Sequence, residues 1–174
     1  MNEYKVGATV FTQEQIEARA AEVGRQITAD YEGKEVLLVG ILTGCVMWMS
    51  EVMKALDLET EIDFMSVSSY GAATESSGVV KINKDLKSDI RGRHVIIVED
   101  IVDSGKTLDY LCGFLKAREP ASLKVCTMLD KRARRAVQIE ADYIGFVAPD
   151  LFLIGYGLDI NQKYRHLPYV TSIE

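Results

Sequence analysis

Two stretches of the chain are apolar without alternation: Glu35–Leu42 (EVLLVGIL) and His94–Glu99 (HVIIVE). A strand with one wet face alternates apolar and polar residues. A strand that does not alternate is covered on both faces, as in a parallel sheet between layers of helices. The segments between these runs supply the helices. Thr12 and Gln15 form a capping box that starts a helix at Gln13 and runs it toward Tyr31, with Gly33 beyond its end. Ile16, Ala20, Val23 and Ile27 recur along it at helical spacing. Thr43-Gly44 breaks the first run, and Cys45–Leu56 reads as a second helix. Glu59–Ser68 and the short Val79–Ile82 read as strands. Ser104–Arg118 reads as the helix after HVIIVE, with Leu108, Leu111, Phe114 and Leu115 on its inner side. Ser122–Leu129 and Asp142–Val147 are further strands, and Leu151–Tyr156 is a last apolar piece. This alternation predicts an α/β fold, a twisted parallel sheet flanked by helices.

Ligands on such sheets bind beyond the carboxyl ends of the strands. That rule selects four loops: Leu42–Cys45, Ser68–Gly78, Glu99–Thr107 and Leu129–Arg135. The small, polar segment Ser69–Gly78 (SYGAATESSG) is expected to be a mobile loop. A length of 174 residues fits one domain over the whole chain. Twenty Lys+Arg against 26 Asp+Glu leave a net charge of −6. Such a surface repels nucleic acid and anionic lipid, so a polyanionic substrate must be met by local cations, backbone amides or metal ions. Cys45, Cys112 and Cys126 lie far apart, with no CxxC pair, which excludes a zinc knuckle or a thioredoxin-type site. The first residues lack a secretory apolar core, and Val36–Met49 is too short to span a membrane. A cytoplasmic protein with no membrane partner is the expectation. His94 and His166 stand alone and receive no role.

The chemistry concentrates in Val98–Leu108 (VEDIVDSGKTL). A buried strand is expected to end at the adjacent carboxylates Glu99 and Asp100. A turn carrying Asp103 follows, and Ser104-Gly105-Lys106-Thr107 opens a helix. Amides at a helix N-terminus beside glycine and two hydroxyls cradle a phosphate. The carboxylates suit sugar hydroxyls or a hard divalent cation. A Walker A loop would need a glycine five places before Gly105, where Asp100 stands, which argues against a nucleoside triphosphatase.

Strand, Glu-Asp, two apolar residues, Asp-Ser-Gly-Lys-Thr, helix: this order resembles the phosphoribosyl diphosphate-binding signature of the type I phosphoribosyltransferases. From Leu42-Thr43-Gly44 to Asp159…Arg165 the chain is similar to the bacterial hypoxanthine(-guanine) phosphoribosyltransferases. The resemblance implies that fold with a small hood made from the chain ends. It implies transfer of a phosphoribosyl group to a 6-oxopurine, with Mg2+ as cofactor, small-molecule substrates, and a homodimer or homotetramer. On the same ground Asp103 is the general base at the purine imidazole. Asp103 to Thr107, Lys106 with less weight, hold the 5-phosphate. Glu99 and Asp100 engage the ribose hydroxyls, directly or through magnesium. Leu42, Thr43 and Gly44 match the pyrophosphate loop, often built on a cis peptide, although many relatives carry a basic residue where Thr43 stands. Ser69 and Tyr70 match a closing lid. Lys131 donates to the exocyclic oxygen of the purine, Phe152 stacks on the base, and Leu153 offers its carbonyl. Asp159 holds a second magnesium, and Arg165 neutralises the diphosphate. Arg132, Arg134 and Arg135 read as a solvated basic turn. A non-enzymatic RNA-binding, nucleotide-sensing regulator of the same fold is the rival; it needs a basic face, and only Lys131–Arg135 is dense in positive charge.

Overall fold

The computed structural model describes residues 4–69 and 80–174. The elements are β1 (Val6–Phe11), α1 (Gln13–Asp30), β2 (Val36–Leu42), α2 (Val46–Lys54), β3 (Thr60–Ser69), β4 (Val80–Lys84), β5 (His94–Val102), α3 (Lys106–Lys116), β6 (Ser122–Asp130), β7 (Tyr143–Val147), β8 (Leu153–Ile154) and β9 (Val170–Ile173). The main sheet has the order β4-β3-β2-β5-β6-β7. All its strands are parallel except β4, which pairs antiparallel with β3.

The absence of alternation in β2 and β5 has the expected cause. Leu37, Val39, Ile41, Val95 and Ile97 face one core with Leu108, Leu111 and Leu115 of α3. Val36, Leu38, Ile96 and Val98 face the other, with Ile16, Val23 and Ile27 of α1 and Trp48 of α2. Successive side chains thus enter two separate cores, and each must be apolar. The capping box at Thr12 is present, with both reciprocal bonds made. Arg19 of α1 donates to the carbonyls of Ile144 (2.8 Å) and Gly145 (2.9 Å). It thereby covers exposed backbone of the edge strand β7.

The hood is a second sheet, β1-β9-β8, in which Val6 pairs with Ile173. Phe11 of β1 stacks on Phe146 of β7 (centroids 4.3 Å apart) and ties hood to body. Neither β1 nor β9 was expected as a strand. β1 is only half-buried and β9 has four residues, so neither carries a long apolar run. Strand β5, expected to end at Glu99, continues to Val102, held by β6 in the register Glu99↔Thr127 and Val102↔Asp130. The two carboxylates therefore sit inside the strand.

Candidate active site

The turn from β5 into α3 has an unusual helix start. Gly105 occupies the N-cap position with φ +81°, and no side chain caps the helix. A residue with a Cβ is strained at that φ, which accounts for glycine there. Apart from a long bond from the Lys106 amide to Ser104 Oγ (3.4 Å), the first amides of α3 are left to an outside acceptor, the arrangement that binds anions. Glu99, Val102, Asp103, Ser104, Gly105 and Thr107 line a recess of about 130 Å³ beside them. Oδ1 of Asp103 is buried there without a hydrogen-bond partner among the described residues. An unfilled buried acceptor costs about 1–3 kcal/mol, a cost that a donor on a ligand would remove. Lys106 is exposed.

Adjacent residues of a strand point to opposite faces. Glu99 accordingly lines the recess, while Asp100 is pressed against Gly44. Burial pushes the Glu99 carboxyl well above the usual carboxylate range, and the Asp100 charge adds to this. Burial also pushes Asp100 up to about 6, opposed by the Ile101 amide (2.6 Å) and the Arg165 guanidinium. Desolvated carboxylates of this kind are relieved by a cation, so they fit a hard divalent metal. Among the described residues no three His, Cys, Asp or Glu side chains converge as a ready-made metal cluster. Such an ion would take its remaining ligands from substrate and water.

The Leu42–Thr43 peptide bond is cis. Thr43 is exposed and Gly44 buried. A Cβ on Gly44 would lie 1.6 Å from Oδ2 of Asp100, and a Cβ on Gly157 would lie 2.1 Å from the Gly44 carbonyl. Arg165 is anchored beside them. Its Nη1 donates to the Gly157 carbonyl (2.6 Å), and its Nη2 donates to Gln162 Oε1 (3.1 Å) and pairs with Asp159 (2.7 Å). Leu42–Gly44, Asp159 and Arg165, expected at the diphosphate, and Asp100, expected at the ribose hydroxyls or magnesium, thus form one neighbourhood.

Lys131 is buried at the end of β6. Its Nζ donates to the Leu151 carbonyl (2.7 Å) and lies 3.3 Å from Asp150. Phe152 follows, 55% exposed, an aromatic residue open to a planar partner, while Leu153 is buried. Ser69 ends β3, and Tyr70 lies outside the described residues, as does most of the expected lid.

The basic run departs from its reading as a solvated turn. Arg132 and Arg134 are exposed and paired with Asp130 and Asp150. Arg135 is not solvated. Its Nε donates to the Asp103 carbonyl (3.1 Å), and it also binds the Ile139 carbonyl and the buried Asp130 carboxylate. Its charge is spent within the protein, which leaves little free basic face for a nucleic acid. Asp130 was the sequence signal available for this: a lone carboxylate closing an apolar strand needs a cation nearby.

The cysteines are inert by burial. It pushes Cys45 and Cys126 up to about 12 and Cys112 up to about 11. The thiolate is the reactive form. At pH 8 the native protein is expected to leave an aromatic disulfide reagent unreacted and the denatured chain to consume it at all three thiols. Fast labelling of native Cys45 would contradict this.

No described helix is long and apolar enough to cross a membrane. The profile of the phosphoribosyl transferase domain family matches residues 8–161. The hypoxanthine-guanine phosphoribosyltransferase of Streptococcus thermophilus is 49% identical over 174 residues, covering 100% of this chain and 97% of its own. The bifunctional protein TilS/HprT of Listeria innocua is 50% identical over 165 residues, 95% of this chain, which spans only 26% of that longer protein. The crystal structure of a hypoxanthine phosphoribosyltransferase from Staphylococcus aureus superposes with a TM-score of 0.94 at 45% identity, over 99% of this chain and 93% of the other. Sheet order, hood, uncapped helix start and these likenesses agree: the chain belongs to the phosphoribosyl transferase domain family, and within it to the hypoxanthine phosphoribosyltransferases.

Proposed function

We propose that the protein joins hypoxanthine, and also guanine, to 5-phosphoribosyl 1-diphosphate, giving IMP or GMP and pyrophosphate. The observation that carries this reading is the orphaned buried Oδ1 of Asp103 beside the uncapped start of α3. A phosphate on the α3 amides, with Ser104 and Thr107 hydroxyls beside it, places a ribose over Glu99 and Asp100. The purine ring nitrogen attacks the anomeric carbon as the bond to diphosphate breaks, through a transition state with oxocarbenium character. Asp103 takes the imidazole proton, the role its empty acceptor suits. Arg165 and the backbone of Thr43-Gly44 meet the departing diphosphate, with Asp159 alongside. Glu99, Asp100 and Asp159 would hold Mg2+, which when bound supplies positive charge to the diphosphate.

Lys131 selects the base. An ammonium only donates, so it pairs with a 6-oxo group and not with the amino group of adenine. Phe152 stacks on the ring and the Leu153 carbonyl faces its edge. The same reading includes self-association as a homodimer or homotetramer.

The test is pyrophosphate release with hypoxanthine, guanine and adenine, with and without Mg2+. Turnover is expected with the two 6-oxopurines and only with the divalent ion. Equal use of adenine, or no release with any purine, would reject the reading. For Lys131→Ala, kcat/KM for hypoxanthine should drop about 10–100-fold, the worth of a hydrogen bond from a charged donor. Adenine, which never used that donor, should change little, and the thermal transition should remain cooperative. Unchanged selectivity would reject the contact.

A further inference from the structure

We infer that Arg135 is a positioning residue for the β5–α3 turn, holding the backbone of Asp103 where the base and the phosphate-binding amides must stand. The inference rests on the function proposed above. The turn has little to hold it from within: its N-cap is a glycine, and the one local side-chain bond, Lys106 N–H to Ser104 Oγ, is 3.4 Å long. Restraint comes instead from the segment after β6. Arg135 Nε donates to the Asp103 carbonyl (3.1 Å) and Nη2 approaches the Val102 carbonyl (3.4 Å). The same guanidinium binds Ile139 and the carboxylate of Asp130, a side chain 4% exposed. The Ala136 amide donates to the Ser104 carbonyl (2.9 Å), so a backbone tie lies next to the side-chain one. Gly105 rests directly on this shelf: a Cβ there would lie 2.9 Å from Cδ of Arg135 and 2.7 Å from Ile139.

The geometry requires arginine. A planar fork of five donors can serve two consecutive carbonyls of one strand end, a third carbonyl across from them and a carboxylate at once. A lysine ammonium projects its three donors from a single point. Lysine keeps the charge opposite Asp130 but cannot hold Val102, Asp103 and Ile139 together. Asp103 would then stand up to ~1 Å from its working place, an error worth about 10²-fold in rate.

The test is a double-mutant cycle of Arg135→Lys with Asp103→Asn, read in kcat and in both KM values. Arg135→Lys alone is expected to lower kcat about 10²-fold and raise KM for phosphoribosyl diphosphate. KM for hypoxanthine should stay within about threefold, since the Lys131 ammonium is held by the Leu151 carbonyl and Phe152 lies on a separate segment. In the Asp103→Asn background the same change should lower kcat by less than about threefold, because groups acting through one another are not additive. An equal loss in both backgrounds, or wild-type kcat in Arg135→Lys, overturns the inference. Amide hydrogen exchange at residues 102–107 gives a readout that needs no activity, and so separates failure of this inference from failure of the proposed reaction. Exchange there is expected to be at least about tenfold faster in Arg135→Lys than in wild type; unchanged exchange overturns the clamp. Should Arg135→Lys fail to fold, Asp130→Asn, which removes the counter-ion and leaves the guanidinium, takes its place in both measurements with the same expected results.

Discussion

Asparagine in place of Asp103 is expected to lower turnover by roughly 10²–10⁴-fold, the usual share of general acid–base help. The substitution keeps the size and shape of the side chain and leaves the amides of α3 and the hydroxyls of Ser104 and Thr107 untouched. Titration calorimetry should therefore show phosphoribosyl diphosphate binding close to that of wild type. What is lost is proton affinity. Oδ1 of Asp103 is buried and has no partner among the described residues, so no group there competes for it. A carboxamide in the same place cannot accept the proton that the purine sheds. Wild-type turnover in Asp103→Asn would remove this residue from the mechanism.

The second large effect is expected from the smallest change available, Gly44→Ala. The added methyl would sit 1.6 Å from Oδ2 of Asp100, and the backbone at Gly44 is not in the left-handed region. The obstacle is the end of a side chain and not main chain, so Asp100 swings aside and the fold survives. Swinging aside costs Asp100 its bond to the Ile101 amide and moves its carboxylate away from the place proposed for the ribose. Misplacement on the scale of 1 Å at a reacting site costs about 10²-fold. Activity should fall by at least that factor, with KM for phosphoribosyl diphosphate raised and thermal unfolding still cooperative. Near-normal activity in Gly44→Ala would show that Asp100 does not work from its observed position.

The body of the fold could be read from the sequence because its signals are local. The runs in β2 and β5 name buried parallel strands, Thr12 and Gln15 name a helix start, and the strand-end rule then selects the loops where Gly44, Asp103 and Lys131 are found. The hood could not be read the same way. β1 and β9 pair across nearly the whole length of the chain, and a half-buried VGATVF carries no local mark of a partner so distant. Side-chain direction was also hidden. Glu99 and Asp100 are neighbours in sequence yet line different parts of the site, since the strand carries on past them. Arg135 was lost in a run of like charges, whose members differ in what the fold sets opposite them: Arg132 reaches Asp130 from solvent with one nitrogen and Arg134 meets the surface carboxylate of Asp150, whereas Arg135 meets three carbonyls and the buried face of Asp130.

The hood has a further consequence. The residues proposed to handle the sugar, Glu99 to Thr107, are one unbroken piece of backbone running from β5 into α3, whereas the seat proposed for the heterocycle is built from Lys131 and from Phe152 and Leu153 where the chain enters the hood. Descendants of such a scaffold can change nucleobase by rewriting a few positions at the hood's border while inheriting the activated-sugar grip intact. The two substrates are, in this sense, separately evolvable.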